Sequence, residues 1–237
     1  MKSVVRSIVS EMRSPAAVKE RNGLLVAVGF GVLALGFDQL CDYFKRKDQK
    51  PLEALSDGAA HIATALAVAV PASPFVANPK RLVATAVISA VAIDLDHVVA
   101  ARSTQLIPCM TMPTRPASHS VITIGAVAYL VERVWPDTQT DLGIVLGLGS
   151  HLLRDLATGG APLFIPRRIV AIERPPVASM MIALGFFGRW FARHMLNPQR
   201  KRRSNDKVLA PEALILGSRA LRARRAMQAI DRNSRAA

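Results

Sequence analysis

The sequence predicts an all-α fold, a multi-pass transmembrane helical bundle of about six apolar helices followed by a basic C-terminal tail. Three observations predict it. Apolar blocks recur along the chain, they are rich in Ala, Val and Gly without a polar stripe, and the charge sits at the ends and in short connections. The chain has 237 residues, of which 51% are hydrophobic, yet 31 Lys+Arg against 17 Asp+Glu give it a net charge of +14. Such a composition excludes a disordered chain, and two cysteines exclude a disulfide scaffold.

Residues 1–22 form a basic N-terminal segment with Lys2, Arg6, Arg13, Lys19 and Arg21. It is too polar for a cleavable signal, so the first apolar block is expected to remain as an anchor. Residues 23–196 hold the helical membrane domain. Its blocks run Gly23 to Phe37, Gly58 to Ala77, Leu82 to Ala101, Ser120 to Leu130 continuing to Trp135, Leu142 to Ala157, and Val177 to Phe191. A full crossing needs about 20 apolar residues, so the first and fifth blocks are short for a span. Short blocks also suit the buried helices of a soluble protein, which is the competing fold. Trp135 and Trp190, near block ends, favour the membrane because indole prefers the interface.

Residues 197–237 form the basic tail, with eleven Lys/Arg and three Asp/Glu, or +8 of the +14. Alternate connections are nearly balanced in Lys/Arg until this tail is counted. Counting it places both termini in the cytoplasm of a bacterial inner-membrane protein. The cluster from Lys45 to Lys50 fits that topology only if the first block stops short of crossing. QRKRRSNDK is placed to meet anionic lipid headgroups, and Leu214, Leu221, Ala226 and Ile230 with the neighbouring arginines suggest an amphipathic surface helix. Without an aromatic stacking platform or a DNA-reading motif, the charge points to lipid rather than nucleic acid.

The chemistry lies in polar residues that interrupt the apolar blocks. Four of the five histidines, His61, His97, His119 and His151, fall in or beside these blocks, where an ionisable group is costly and needs a wet interior and partners. In SDGAAHIA and SHLLRDL, Asp57 and His61, and His151 and Asp155, are four apart and share a helix face. In AIDLDHV, Asp94 and His97 share a face at a spacing of three, and Asp96 points elsewhere unless the helix bends. In TRPASHS, Pro116 suits a helix start, Ser118 or Ser120 can cap it, and His119 enters the next block. Mixed imidazole and carboxylate ligands suit a divalent metal, zinc first and manganese or iron next, that activates water for hydrolysis. A proton relay or small transporter is the intramembrane alternative, and paired broken helices, which would favour it, are absent from the pattern.

GAAHIA, AIDLDHV, RPASHS and GSHLLRDLATGGAPLFIP, in that order over Asp57 to Pro166, resemble the YdjM-type inner-membrane family, described as metal-dependent hydrolases and as LexA-binding. The resemblance implies a bacterial inner-membrane helical protein and a metal-dependent hydrolase. Position by position it carries over His61, then Asp94, Asp96 and His97, then Arg115 and His119, then His151 and Asp155. Thr114 departs from the family pattern, which has His before the Arg, and this puts one ligand or acid/base role in doubt.

The expected metal ligands are therefore His61, Asp94, His97, His119, His151 and Asp155. Asp96 is expected to orient a ligand or act as general base, and Arg115 to bind a substrate phosphate or carboxylate. The expected substrate is a small molecule or a lipid. A non-enzymatic membrane-anchored regulatory protein with a structural metal is the main alternative. Arg154 is expected to neutralise a carboxylate, Asp38 and Asp42 to be solvated at a helix end or, as the second reading, to extend the polar interior, His194 to face headgroups, and Cys41 and Cys109 to be small buried side chains.

Overall fold

The structure, a computed structural model, describes residues 15–112, 115–164 and 168–197. The basic tail with its expected amphipathic helix, most of the N-terminal segment, Thr114 and Pro166 lie outside them. The described chain is all-helical, with α1 Pro15–Arg46, α2 Lys50–Ala69, α3 Pro79–Ala92, α4 Asp96–Ala101, α5 Leu106–Met110, α6 Val121–Val134, α7 Thr138–Thr158 and α8 Arg174–Phe191. One addition to the expected fold is a two-residue antiparallel ladder that pairs Ala161 with Val170 and Pro162 with Ile169.

Local signals set the helix ends. Proline opens α2, α3 and α8, where its missing N–H costs nothing. Asn78, Ser120 and Asp137 cap α3, α6 and α7 through their side-chain oxygens. Of the two serines able to cap α6, Ser120 does so, by accepting from the Thr123 N–H at 3.3 Å. Gly160 lies at φ 88, and a side chain there would press on Ile169 and the Val170 carbonyl, so the chain can leave α7 along this path only through glycine.

All six apolar blocks fall on helices, and among the described residues three of those helices are long and apolar enough to cross a membrane: Val18–Arg46, Lys50–Phe75 and Pro79–Ala101. The first carries large apolar side chains around much of its circumference, among them Leu25, Val26, Val28 and Leu33, and all four are exposed. Only 11% of its apolar window is buried, against 56% for the second. An apolar helix with so few protein partners needs an apolar solvent. At 29 residues it is also long enough to cross, so a short first span does not account for the Lys45 to Lys50 cluster. Part of that cluster is local: Lys45 and Arg46 sit on the last turn of α1, where cations meet the negative end of the helix dipole, and Lys50 pairs with Glu53 at 3.0 Å.

The fifth block, on α7, is short for another reason. This helix is the centre of the bundle, in contact with α2, α3, α6 and α8, and its buried residues lie on every side. One end of the bundle closes on an apolar cluster that includes Val68, Phe75, Leu82, Ala86, Leu142 and Leu146. Toward the C-terminal end of α7 one side of the core becomes polar, with His151, Arg154 and Asp155, while Leu152 and Leu156 join Ala161 and Val177 in a second apolar cluster.

Candidate metal centre

The site is built on one face of α7. Gly143, Gly147, His151 and Asp155 recur every four residues and so lie along one stripe of the helix. The two glycines bring α7 against the α3 backbone: a Cβ on Gly143 would fall 2.8 Å from the Leu82 carbonyl, and one on Gly147 would collide with the Ala86 carbonyl and the Ser89 hydroxyl. Further along the stripe, this closeness places the Ala90 carbonyl 2.6 Å from His151 Nδ1. A carbonyl only accepts, so Nδ1 carries the proton and Nε2 presents its lone pair to the interior.

Beyond Ala90 the α3 segment tightens into a 3₁₀ turn at Ile93–Leu95 before α4 begins at Asp96. This is the bend that the sequence left open. With three residues per turn, Asp94 and His97 nearly eclipse, and Asp96 swings toward the loop that carries His119. Asp96 Oδ2 lies 3.2 Å from His119 Nδ1, Asp96 Oδ1 lies 3.1 Å from His97 Nδ1, and the Ser118 hydroxyl donates to Asp96 Oδ2. His119 is fully buried just before α6. Burial opposes its charge, but Asp94, Asp96 and Asp155 outweigh that and hold its pKa up at about 9.

Four ligand atoms face one another across a small gap. His151 Nε2 is 3.2 Å from Asp155 Oδ2 and 3.5 Å from Asp94 Oδ1, and His119 Nε2 is 3.5 Å from Asp94 Oδ1 and 3.6 Å from Asp155 Oδ2. A tetrahedral ion with bonds of about 2.0–2.1 Å separates neighbouring ligand atoms by about 3.3–3.4 Å. His119 Nε2, His151 Nε2 and Asp155 Oδ2 are buried and make no hydrogen bond to any described residue. Orphaned buried ligand atoms of this kind, with two carboxylates directed at the same gap, fit a divalent cation that takes the place of the proton those carboxylates favour on His119.

The other expected ligands lie around this gap. His97 Nδ1 is 3.7 Å from Asp94 Oδ1, and Asp94, His97 and His119 form a possible ligand group that shares His119 with the group of His119, His151 and Asp155. His61 stacks on His151 with ring centroids 3.8 Å apart, and it groups with Asp94 and His151. Its Nε2 meets Arg154 Nη1 at 2.8 Å. A guanidinium only donates, so in this arrangement that nitrogen accepts and Nδ1 carries the proton.

The two charged neighbours on α7 point different ways. Arg154 turns toward α1 and α2, where its Nε and Nη2 donate to Asp38 Oδ1 at 2.9 and 2.6 Å, and its Nη1 donates to Asp57 Oδ1 at 2.6 Å. Asp155 turns toward the histidines, and its second oxygen lies 3.0 Å from Arg115 Nη2. Arg115 also donates to Thr158 Oγ1 at 3.3 Å. Asp38 is therefore an ion-pair partner of Arg154, and Asp42 one of Arg174 at 2.7 Å, which replaces the solvated helix end expected for both. The sequence did carry a signal: a lone arginine inside an apolar block needs carboxylates, and α1 and α2 each hold one at the matching depth.

A cavity of about 480 Å³ opens over this network, lined among others by Asp57, Asp94, His97, Arg115 and Arg154. Cys41 and Cys109 also line it and are only half-buried, contrary to the expectation of two buried thiols. His194 is exposed, with its Nδ1 2.8 Å from the Trp190 carbonyl, and takes no part in the cluster.

Known proteins add one finding. No curated protein and no solved structure matches the chain. Residues 57–224, the larger part of the sequence and the part that supplies the His/Asp cluster, match the family described as YdjM inner membrane protein, and the chain belongs to that family.

Proposed function

We propose that the chain is a membrane-bound metal-dependent hydrolase that acts on a lipid or a phosphorylated compound. The observation that carries this reading is the set of four ligand atoms, His119 Nε2, His151 Nε2, Asp94 Oδ1 and Asp155 Oδ2, in which each imidazole nitrogen lies 3.2–3.6 Å from each carboxylate oxygen. His97 stands beside them for a second ion or a wider coordination sphere, and His61 joins it only when its Nε2 is released from Arg154. Imidazole and carboxylate donors without thiolate favour zinc, with manganese or iron as alternatives. A divalent cation held there supplies Lewis acidity, which lowers the pKa of water and polarises a phosphoryl or carbonyl oxygen.

The side chains have separable tasks. Asp96 lies 3.1 and 3.2 Å from the Nδ1 atoms of His97 and His119, where it is placed to orient both rings, and this favours a positioning role over that of general base. The Ala90 carbonyl does the same for His151. Arg115 reaches the cavity beside Asp155 and is placed to meet an anionic group of the substrate. In the membrane, multiple crossings with both termini cytoplasmic would set the basic tail on anionic headgroups.

Metal analysis of the purified full chain tests the reading. Stoichiometric metal is expected in the parent protein and is expected to vanish in the His151→Ala/Asp155→Ala variant, together with hydrolysis of generic phosphoesters and esters. Equal metal content in both proteins would sink the site. Metal bound by the parent without turnover would make the chain a non-enzymatic protein with a structural ion.

A further inference from the structure

A second cavity, also of about 480 Å³, runs between α1 and α8 over the outer surface of α2. Its walls are almost entirely apolar, with Val28, Val32, Val68, Met181 and Phe186 typical of them. Along α1 it extends from Leu24 to Asp38, fourteen residues or about 21 Å of helix. A bilayer core is about 30 Å thick, so a groove of this length takes one leaflet's acyl chain at full extension. It opens along the helix whose apolar window is 11% buried, the helix with the fewest protein partners among the three candidate spans.

One end of this groove is not apolar. Asp38, Arg154, Thr158 and Arg174 line it, and the same four residues line the polar cavity over the His/Asp cluster. The two spaces therefore adjoin at this point, with these side chains as their shared wall. Arg154 is consumed there, with a side chain 4% exposed and two carboxylates on it. Arg174 is not, because its side chain is 51% exposed and its only acid partner among the described residues is Asp42. With five N–H donors, its guanidinium keeps free donors for an anion at the junction of the two spaces.

We infer that the groove between α1 and α8 binds an acyl chain of a phosphate-bearing membrane lipid, with the lipid phosphate at Arg174 and the headgroup directed into the polar cavity. The apolar lining selects the chain, the single exposed arginine selects the phosphate, and the shared wall delivers the linkage between them toward Arg115 and the ligand cluster. The assignment of this lipid as substrate rests on the hydrolase reading above. The binding itself does not.

The groove can be filled without disturbing the helix. Gly31 lines it, and a Cβ added there meets no atom within 4 Å. Gly29 has the same freedom and lies outside the groove. The probe is phosphatidylglycerol with a diazirine near the end of one acyl chain, in phosphatidylcholine nanodiscs that hold the full chain. After photolysis, mass spectrometry is expected to place the label on groove residues of α1 and α8. Gly31→Phe should reduce it at least tenfold, and Gly29→Phe should leave it unchanged. Arg174→Gln should reduce labelling by phosphatidylglycerol but not by the matching diacylglycerol. Label spread evenly around α1, or an equal loss in both glycine variants, would mean ordinary annular lipid and overturn the inference. Loss of diacylglycerol labelling in Arg174→Gln would remove the phosphate from it. The His151→Ala/Asp155→Ala variant separates the two readings: retained groove label without turnover in the parent protein leaves lipid binding standing and the hydrolase fallen, and turnover with label indifferent to Gly31→Phe does the reverse.

Discussion

The two halves of α7 present the same stripe to α3 for different ends. In the first half the positions are Gly143 and Gly147, which contribute nothing except the absence of a side chain. In the second half they are His151 and Asp155, fully buried groups that contribute the chemistry. The difference shows how a membrane-type core hosts polar groups. Small residues bring two helices to backbone distance, and one turn further on that distance lets the Ala90 carbonyl hold an imidazole by a 2.6 Å hydrogen bond. The glycine half is therefore as much a part of the site as the residues that face it.

The largest effect is expected at the polar half. Arg154 satisfies Asp38 and Asp57 and also contacts His61, so Arg154→Met would leave two carboxylates directed into a space built for a cation. Removing one partner of a buried charge network costs about 3–5 kcal/mol. The unfolding midpoint in detergent should fall accordingly. A midpoint within error of the parent would show that water already serves these carboxylates. Next in size is the glycine half. Gly147→Val would force the α3 backbone away, an overpacking cost of about 1–3 kcal/mol. The diagnostic readout is metal content, which should fall with stability because Ala90 moves away from His151. Gly149→Ala is the matched control, since its Cβ would meet only the flexible end of Leu184 at 3.2 Å. If Gly147→Val keeps its metal, the two halves of α7 are independent.

Much of this arrangement was legible in the sequence, and the reasons are particular. The six blocks were readable because apolar length is a local property. The four histidine motifs were readable because an imidazole in an apolar block is costly wherever the chain goes. The 3₁₀ turn at Ile93–Leu95 was not, since it depends on Asp96 meeting Ser118 and His119 from another part of the chain. Arg154 was expected to neutralise a carboxylate, but its partners were hidden for the opposite reason. Its neighbour Asp155 looks like a partner in sequence, but adjacent residues on a helix diverge by about 100°. The true partners, Asp38 and Asp57, are 116 and 97 residues away. Nor could hydropathy distinguish α1, whose apolar surface faces outward, from α7, whose surface is enclosed by other helices.

The smallest expected effect lies at the far end of α7, where an acidic pair sits away from the ligand cluster. Asp141 sits in the first turn, and burial, with Glu132 of α6 next and Asp137 after it, pushes its pKa up from 3.8 to about 7. A carboxyl whose folded pKa exceeds its unfolded value binds more proton in the folded state between the two. Stability must then fall as pH rises from about 4 to about 7. The unfolding midpoint of the parent protein should accordingly be higher at pH 5 than at pH 7.5, and Asp141→Asn should flatten that slope by removing the second charge from the pair. Because this pair is remote from His151 and Asp155, the same variant should keep its full metal content. A slope that survives Asp141→Asn would move the titration to the ligand cluster, and the two ends of α7 would then be coupled through protons as well as through packing.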